Sequence, residues 1–222
     1  MSYKHDFIEL MVRSGVLTFG DFTTKSGRKT PFFINTGNYS TGEQINKLGE
    51  FYAETIMHNL KGKFDVLYGP AYKGIPLAVA AASSLYAKHG VNTSYCFNRK
   101  EAKDHGEGGV VIGRKLCNGD RVVIIEDVIT AGTSIRESVP LLKAQAHVEI
   151  PAVIVSVDRK ERGTGSLTAL EEAEAEFNIK TYSIVTIDEI VEYLYNRPVD
   201  GNVVLDDEMK SRIDEYRAMY GA

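Results

Sequence analysis

Short runs rich in Val, Ile, Tyr and Phe begin near Phe64, Thr93, Arg121, Ala152 and Thr181, at steps of 29, 28, 31 and 29 residues. A strand, its crossover helix and the return to the next strand take about 30 residues. The spacing therefore predicts a chain of βαβ units. Two of the intervening segments read as helices. Residues 74–89 carry Pro76 in the first turn and are followed by Gly90, and residues 134–144 follow a Gly-Thr pair. The connection over residues 98–119 departs from this pattern. It is long, polar and glycine-rich, and connections of that length without structure of their own are usually functional or disordered.

Upstream, Phe7, Leu10 and Met11 have helical spacing, as do Ile45, Leu48, Tyr52 and Ile56, with a strand candidate at residues 31–34 between them. These segments are expected to add a hood to the sheet. Downstream, residues 188–195 and 206–220 read as short amphipathic helices, separated by a break at Pro198, Asp200, Gly201 and Asn202. No internal repeat, low-complexity tract or linker interrupts the chain, so one domain spanning residues 1–222 is expected.

The 26 Lys and Arg against 30 Asp and Glu leave a formal net charge of −4, which disfavours binding to nucleic acid mainly through net basic charge. A phosphate ligand must then be held locally. No apolar run approaches the roughly 20 residues of a membrane-spanning helix, and the opening MSYKHD is too polar to begin a signal peptide. The expected location is cytoplasmic. Cys96 and Cys117 form neither a CxxC pair nor a metal-ligand cluster, so they read as ordinary thiols.

The most informative stretch is VVIIEDVITAGTS, residues 122–134. A hydrophobic strand ends in two carboxylates, and a loop of Thr, Gly, Thr and Ser leads into a helix. Ligands of open α/β sheets bind beyond the carboxyl ends of the strands. Free N–H groups at a helix start, with the Thr130, Thr133 and Ser134 hydroxyls, suit a phosphate, and Gly132 permits close backbone approach. Glu126 and Asp127 would repel that phosphate but can accept hydrogen bonds from neighbouring sugar hydroxyls. No GxxxxGK[ST] or completed GxGxxG is present, and the HGE at residues 105–107 has no PCxxC partner. P-loop, dinucleotide and zinc-deaminase readings therefore fail.

The run resembles the phosphoribosyl pyrophosphate (PRPP) motif of type I phosphoribosyltransferases. Four further segments narrow the resemblance to the orotate phosphoribosyltransferase family: KSGRKTPFF at 25–33, GPAYKGIP at 69–76, YCFNRKEAKDHGEGG at 95–109 and DRKERG at 158–163. The resemblance implies an α/β type I phosphoribosyltransferase fold, a central mostly parallel sheet flanked by helices, with a small N-terminal hood drawn mainly from residues 1–40. It also implies the reaction of orotate with PRPP, with Mg²⁺, to give orotidine 5′-monophosphate and pyrophosphate in pyrimidine nucleotide synthesis.

By the same resemblance, Lys73, Arg99, Lys100 and Lys103 face the departing pyrophosphate, where fixed cations favour a transition state with charge growing on oxygen. His105 shares the loop of Arg99, Lys100 and Lys103, Lys25 lies near the phosphates, and Tyr72 sits beside Lys73. Glu126 and Asp127 hold the ribose hydroxyls, and Asp127 also faces the ring as it becomes oxocarbenium-like. Val128, Ile129, Thr130, Ala131, Gly132, Thr133 and Ser134 complete the PRPP loop, with residues 130–134 on the 5′-phosphate. Arg159 pairs with orotate, Thr130 assists, and backbone groups at Phe33 and Ile34 read the pyrimidine edge; a guanidinium suits a planar, bidentate partner. The catalytic set is thus Arg99, Lys100, Lys103, His105 and Asp127. No direct protein ligand is expected for Mg²⁺, which arrives largely with PRPP and reaches Glu126 and Asp127 through water. A homodimer is implied in which the loop 98–109 opens, closes and reaches the neighbouring subunit's site. Glu126 and Ile34 depart from the family pattern, which often has an aspartate and an aromatic there.

Taken singly, these residues have ordinary competing roles. Lys25, Arg28 and Lys29 could be solvated turn charges, and Arg159 could pair with Glu161 or Asp158. Two alternatives share the 126–134 loop: a purine or uracil phosphoribosyltransferase, and a PRPP-sensing regulator that binds nucleic acid.

Overall fold

Helix α1 (Ser2–Arg13) leads into an antiparallel pair, β1 (Leu17–Thr23) and β2 (Lys29–Ile34), joined in register from Leu17 opposite Ile34 to Thr23 opposite Lys29. This computed structural model describes residues 2–24, 27–100, 110–129 and 132–222. Lys25, Lys103, His105, Thr130 and Ala131, and with them most of the predicted 98–109 loop, lie outside the described residues.

A 3₁₀ turn (Thr36–Asn38) follows, then α2 (Gly42–Leu60), β3 (Val66–Gly69), α3 (Gly74–His89), β4 (Ser94–Asn98), β5 (Val111–Gly113), β6 (Arg121–Ile125), α4 (Thr133–Gln145), β7 (Glu149–Asp158), α5 (Ala169–Phe177), β8 (Lys180–Thr186) and α6 (Ile187–Leu194). A small hairpin of β9 (Pro198–Val199) and β10 (Asn202–Val203) precedes α7 (Asp207–Tyr220). Helices α2, α5 and α6 each begin at a reciprocal capping box, Thr41 with Gln44, Thr168 with Glu171 and Thr186 with Glu189. Helix α3 ends where Gly90 takes a left-handed conformation at φ 66°.

The main sheet has the order β5-β4-β3-β6-β7-β8. Its strands are parallel except for β5, which runs antiparallel to β4. Parallel strands are buried on both faces, and β6 shows how the pleat divides them. Val123 and Ile125 point into the layer with Tyr52, Leu77 and Ala78, whereas Val122 and Ile124 meet Ile135, Val139 and Leu142 of α4 and Leu170 of α5. On the first face α2 packs closely on α3, because a Cβ at Gly49 would lie 2.6 Å from the Ala80 carbonyl oxygen.

The predicted strand runs all form, beginning at Val66, Ser94, Arg121, Glu149 and Lys180. Three segments differ. β1 was not anticipated because Gly20 and Asp21 interrupt its apolar pattern. Part of the 98–119 connection folds as β5, an edge strand too short to show a period. The break near Asp200 separates the two helices as expected but also carries the short strands β9 and β10, which its turn residues did not announce. The hood also draws on the other end of the chain, since α7 packs on β2. Among the described residues no helix is long and apolar enough to cross a membrane.

Candidate active site

Strands β3, β6 and β7 run parallel and adjacent, so the loops after Gly69, Ile125 and Asp158 emerge at one carboxyl edge of the sheet. The β6 loop is anchored through its main chain. Glu126 N donates to the Ile154 carbonyl at 3.0 Å, and the buried Tyr52 hydroxyl donates to the Glu126 carbonyl at 2.6 Å. The Asp127 carbonyl accepts from Ser156 N at 2.8 Å and from Ser156 Oγ at 2.6 Å. With the backbone held by α2 and β7, the two side chains have little freedom.

Glu126 and Asp127 are 7% and 8% exposed. Glu126 Oε1 accepts from Asp127 N at 3.1 Å. Asp127 Oδ1 accepts from Val128 N at 2.7 Å, and its Oδ2 accepts from Thr36 Oγ1 at 2.7 Å and from Lys73 Nζ at 2.9 Å. Burial, with the neighbouring Asp127 charge adding to it, pushes the Glu126 carboxyl up to about 7. A carboxyl tuned in this way takes up or gives up a proton near neutrality.

Residues 126–129 and 132–134 line a cleft of about 240 Å³. Gly132 sits at φ 72° at the start of α4 and provides no side-chain cap. Ile135 N donates to the Gly132 carbonyl at 3.1 Å, and among the described residues the Thr133 and Ser134 N–H groups have no acceptor, as suits an anion. Val128, Ile129, Thr133 and Ser134 line the cleft; Thr130 and Ala131 lie outside the described residues.

The β3 loop is held close to β6. A Cβ at Gly74 would come within 2.6 Å of Pro70 Cδ and 2.9 Å of the Ile125 carbonyl oxygen. Asn98 Oδ1 accepts from Ala71 N at 2.8 Å and from the Tyr68 hydroxyl at 3.0 Å, fixing the middle of the loop to β4. Lys73 thereby reaches Asp127. Lys100 Nζ lies over the exposed Tyr72 ring, 5.1 Å from its centroid, and Arg99 N donates to the Val110 carbonyl at 2.8 Å. Lys25, Lys103 and His105 cannot be placed beside them, being outside the described residues.

Arg159 follows β7 and turns toward the hood. Its guanidinium carbon lies 4.7 Å from the centre of the buried Phe32 ring on β2. Nε and Nη2 donate to Glu161 Oε1 at 2.9 and 2.6 Å, so the pairing that competes with a ligand role is formed. Phe33 is partly exposed and stacks on Phe22, with centroids 5.5 Å apart, and Ile34 is half-buried.

Thr36, Tyr52, Asn98, Ser156 and Glu161 all shape this site; the sequence marks Glu161 only as a competing partner of Arg159 and Asn98 only as the start of the 98–109 loop, and gives Thr36, Tyr52 and Ser156 no role in it. Ser156 had left a signal, a lone hydroxyl in the otherwise apolar IPAVIVSV run. Tyr52 was read only as the apolar face of a helix, and Thr36 carried no signal. Among the described residues no group of three or more His, Cys, Asp or Glu side chains is placed to hold a metal ion.

The phosphoribosyl transferase domain family matches residues 35–168. An orotate phosphoribosyltransferase of Clostridium acetobutylicum is 59% identical over 219 residues, covering 99% of this chain and 98% of that protein. The corresponding protein of Clostridium beijerinckii is 56% identical over 221 residues, covering 100% and 99%. The crystal structure of orotate phosphoribosyltransferase from Francisella tularensis superposes with a TM-score of 0.84 at 37% identity, covering 98% of this chain and 100% of that one.

Proposed function

Because this chain belongs to the orotate phosphoribosyltransferase family, we propose that the cleft beyond β6 is where it transfers the 5-phosphoribosyl group from PRPP to orotate. The activity is that of a pentosyltransferase, a step of pyrimidine nucleotide biosynthesis whose products are orotidine 5′-monophosphate and pyrophosphate. The observation that carries the placement is the buried Glu126-Asp127 pair, held by its main chain at the edge of the cleft and touched by Lys73 from the next loop.

In this reading the N-terminus of α4, with Thr130, Ala131, Gly132, Thr133 and Ser134, holds the 5′-phosphate, and Val128 and Ile129 form the wall behind it. Glu126 and Asp127 accept from the ribose hydroxyls. As the bond to pyrophosphate breaks, negative charge grows on the leaving oxygens and positive charge on the ring. Lys73, Arg99, Lys100 and Lys103 favour the first change and Asp127 the second. Lys25, Tyr72 and His105 border the phosphates. Lys73 and Asp127 exchange their mutual contact for ligand contacts on the way. Orotate lies toward the hood, between Arg159, Thr130 and the backbone at Phe33 and Ile34.

Glu126 and Asp127 fit an ion that keeps most of its waters, since two adjacent carboxylates with no third ligand among the described residues suit Mg²⁺ carried by PRPP. When bound, Mg²⁺ supplies positive charge to the pyrophosphate and ribose oxygens. We further propose that residues 1–222 act as one phosphoribosyltransferase domain, that the protein works in the cytoplasm as a homodimer, and that the loop 98–109 closes over a site of the partner subunit.

The test is an ultraviolet assay of orotate consumption with PRPP and Mg²⁺, with uracil and hypoxanthine as competing bases. Consumption of orotate alone, dependent on both PRPP and Mg²⁺, is expected. PRPP binding without reaction of any base would overturn the catalytic placement and favour a PRPP-sensing regulator.

A further inference from the structure

The guanidinium of Arg159 belongs to a closed circuit of four side chains. Its face lies on Phe32, 4.7 Å from the ring centroid. The edge of Phe32 meets Tyr216 of α7, with centroids 5.8 Å apart and planes at 85°. The Tyr216 hydroxyl donates to Glu161 Oε1 at 2.9 Å. That same oxygen takes Nε and Nη2 of Arg159. The second oxygen of Glu161 takes Nη1 of Arg28 at 3.3 Å, and the Arg28 guanidinium lies over Tyr220, 4.3 Å from its ring centroid. Phe32 and Tyr216 are buried, and the Arg159 and Glu161 side chains are only 10% and 17% exposed.

A guanidinium has five N–H donors in a fixed plane. Glu161 engages it side-on, through Nε and one hydrogen of Nη2. The end-on pair, one hydrogen on Nη1 and the other on Nη2, is left without a protein acceptor among the described residues. That pair is the geometry for a second planar, bidentate acceptor. The charges point the same way. Two guanidiniums share one carboxylate, which leaves one unit of positive charge in a half-buried place, where an anionic base is preferred to a neutral one of similar shape.

We infer that Glu161 and Tyr216 are positioning residues for base recognition: they fix the plane of Arg159 so that its end-on edge meets the orotate carboxylate or ring oxygen. This makes the C-terminal helix part of the apparatus that selects the base. The inference rests on the proposed placement of orotate at Arg159.

The experiment is steady-state kinetics, varying orotate and PRPP separately, on Glu161→Ala, Glu161→Gln, Tyr216→Phe and Arg159→Ala. Glu161→Ala is expected to raise the orotate KM about tenfold, the size of one lost orienting contact, with kcat and the PRPP KM within about twofold. Glu161→Gln keeps an acceptor oxygen for Arg159 and recovers most of the loss. Tyr216→Phe removes only the hydroxyl and raises the orotate KM about threefold. A purely structural carboxylate would instead lower active fraction and thermal midpoint without splitting the two Michaelis constants. An unchanged or lowered orotate KM in Glu161→Ala, or a parallel change for both substrates, overturns the inference. If Glu161→Ala does not fold, an orotate KM unchanged in Tyr216→Phe does the same. Arg159→Ala separates the two levels: if it leaves the orotate KM unchanged, the placement of the base is wrong, whatever Glu161 does.

Discussion

Lys73 Nζ lies 2.9 Å from Asp127 Oδ2, joining the cation of the β3 loop to the second carboxylate of the β6 loop. The Lys73 side chain is 61% exposed, so the pair adds no more than about 1 kcal/mol to stability. Its place between the two loops matters more than its strength. Lys73→Ala is expected to unfold within about 1 kcal/mol of the parent while losing about 100-fold in kcat, the size seen when one group facing developing charge is removed. Urea denaturation and steady-state kinetics on the same preparation check this. A large stability loss with intact kinetics would make the pair structural.

Glu126 ties stability to pH. Its carboxyl is raised from 4.5 to about 7 in the fold, chiefly by burial, so between those values the folded state holds a proton that the unfolded chain has released. Stability therefore falls as pH rises through this window and levels off above it. Glu126→Gln removes the slope: its stability relative to the parent should increase from pH 4.5 to 7.5 and then stay constant. Denaturant midpoints across that range are the measurement. A parallel shift at every pH would show that Glu126 does not titrate there.

The same carboxyl should be felt by the substrate. If ribose hydroxyls and hydrated Mg²⁺ favour the ionised form, the KM for PRPP should fall several-fold from pH 6 to pH 8. The profile should be flatter in Glu126→Gln. A wild-type profile as flat as that of the variant would separate Glu126 from PRPP binding.

Tyr52 holds the β6 loop from below. Its hydroxyl is fully buried and donates to the Glu126 carbonyl at 2.6 Å. Tyr52→Phe leaves that carbonyl short of a donor at a cost of about 1–3 kcal/mol. A rise in the PRPP KM should accompany the lowered thermal midpoint, because the freed carbonyl lies in the loop that carries both carboxylates. Loss of stability alone would confine Tyr52 to the core.

Gly49 gives a prediction whose sign is informative. In an exposed helix, Gly to Ala stabilises by about 1 kcal/mol. Here the added Cβ would lie 2.6 Å from the Ala80 carbonyl oxygen, so Gly49→Ala is expected to destabilise by about 1–3 kcal/mol as α2 is pushed off α3. Calorimetric unfolding decides it.

Patterns carried by neighbouring residues were legible. The apolar runs spaced 28 to 31 residues apart became the parallel strands, Gly90 ended α3 as expected, and the acidic end of β6 with its Gly132 turn lies at the carboxyl edge of the sheet. β1 and β5 were not legible. One is interrupted by Gly20 and Asp21, and the other is three residues long; each exists because a partner strand supplies its hydrogen bonds.

Local sequence thus determined the kinds of element, their order, and the chemistry presented at one strand end, because periodicity, caps and turns are set by residues within a few positions of each other. What only the tertiary structure decided is which distant groups meet. Tyr52 reaches Glu126 across 74 positions, Lys73 reaches Asp127 across 54, and Tyr216 reaches Glu161 across 55. The raised carboxyl of Glu126 and the oriented guanidinium of Arg159 arise from burial and contact between separate elements. Such properties belong to the packed chain, since they depend on the water removed and the partners brought close when the layers close.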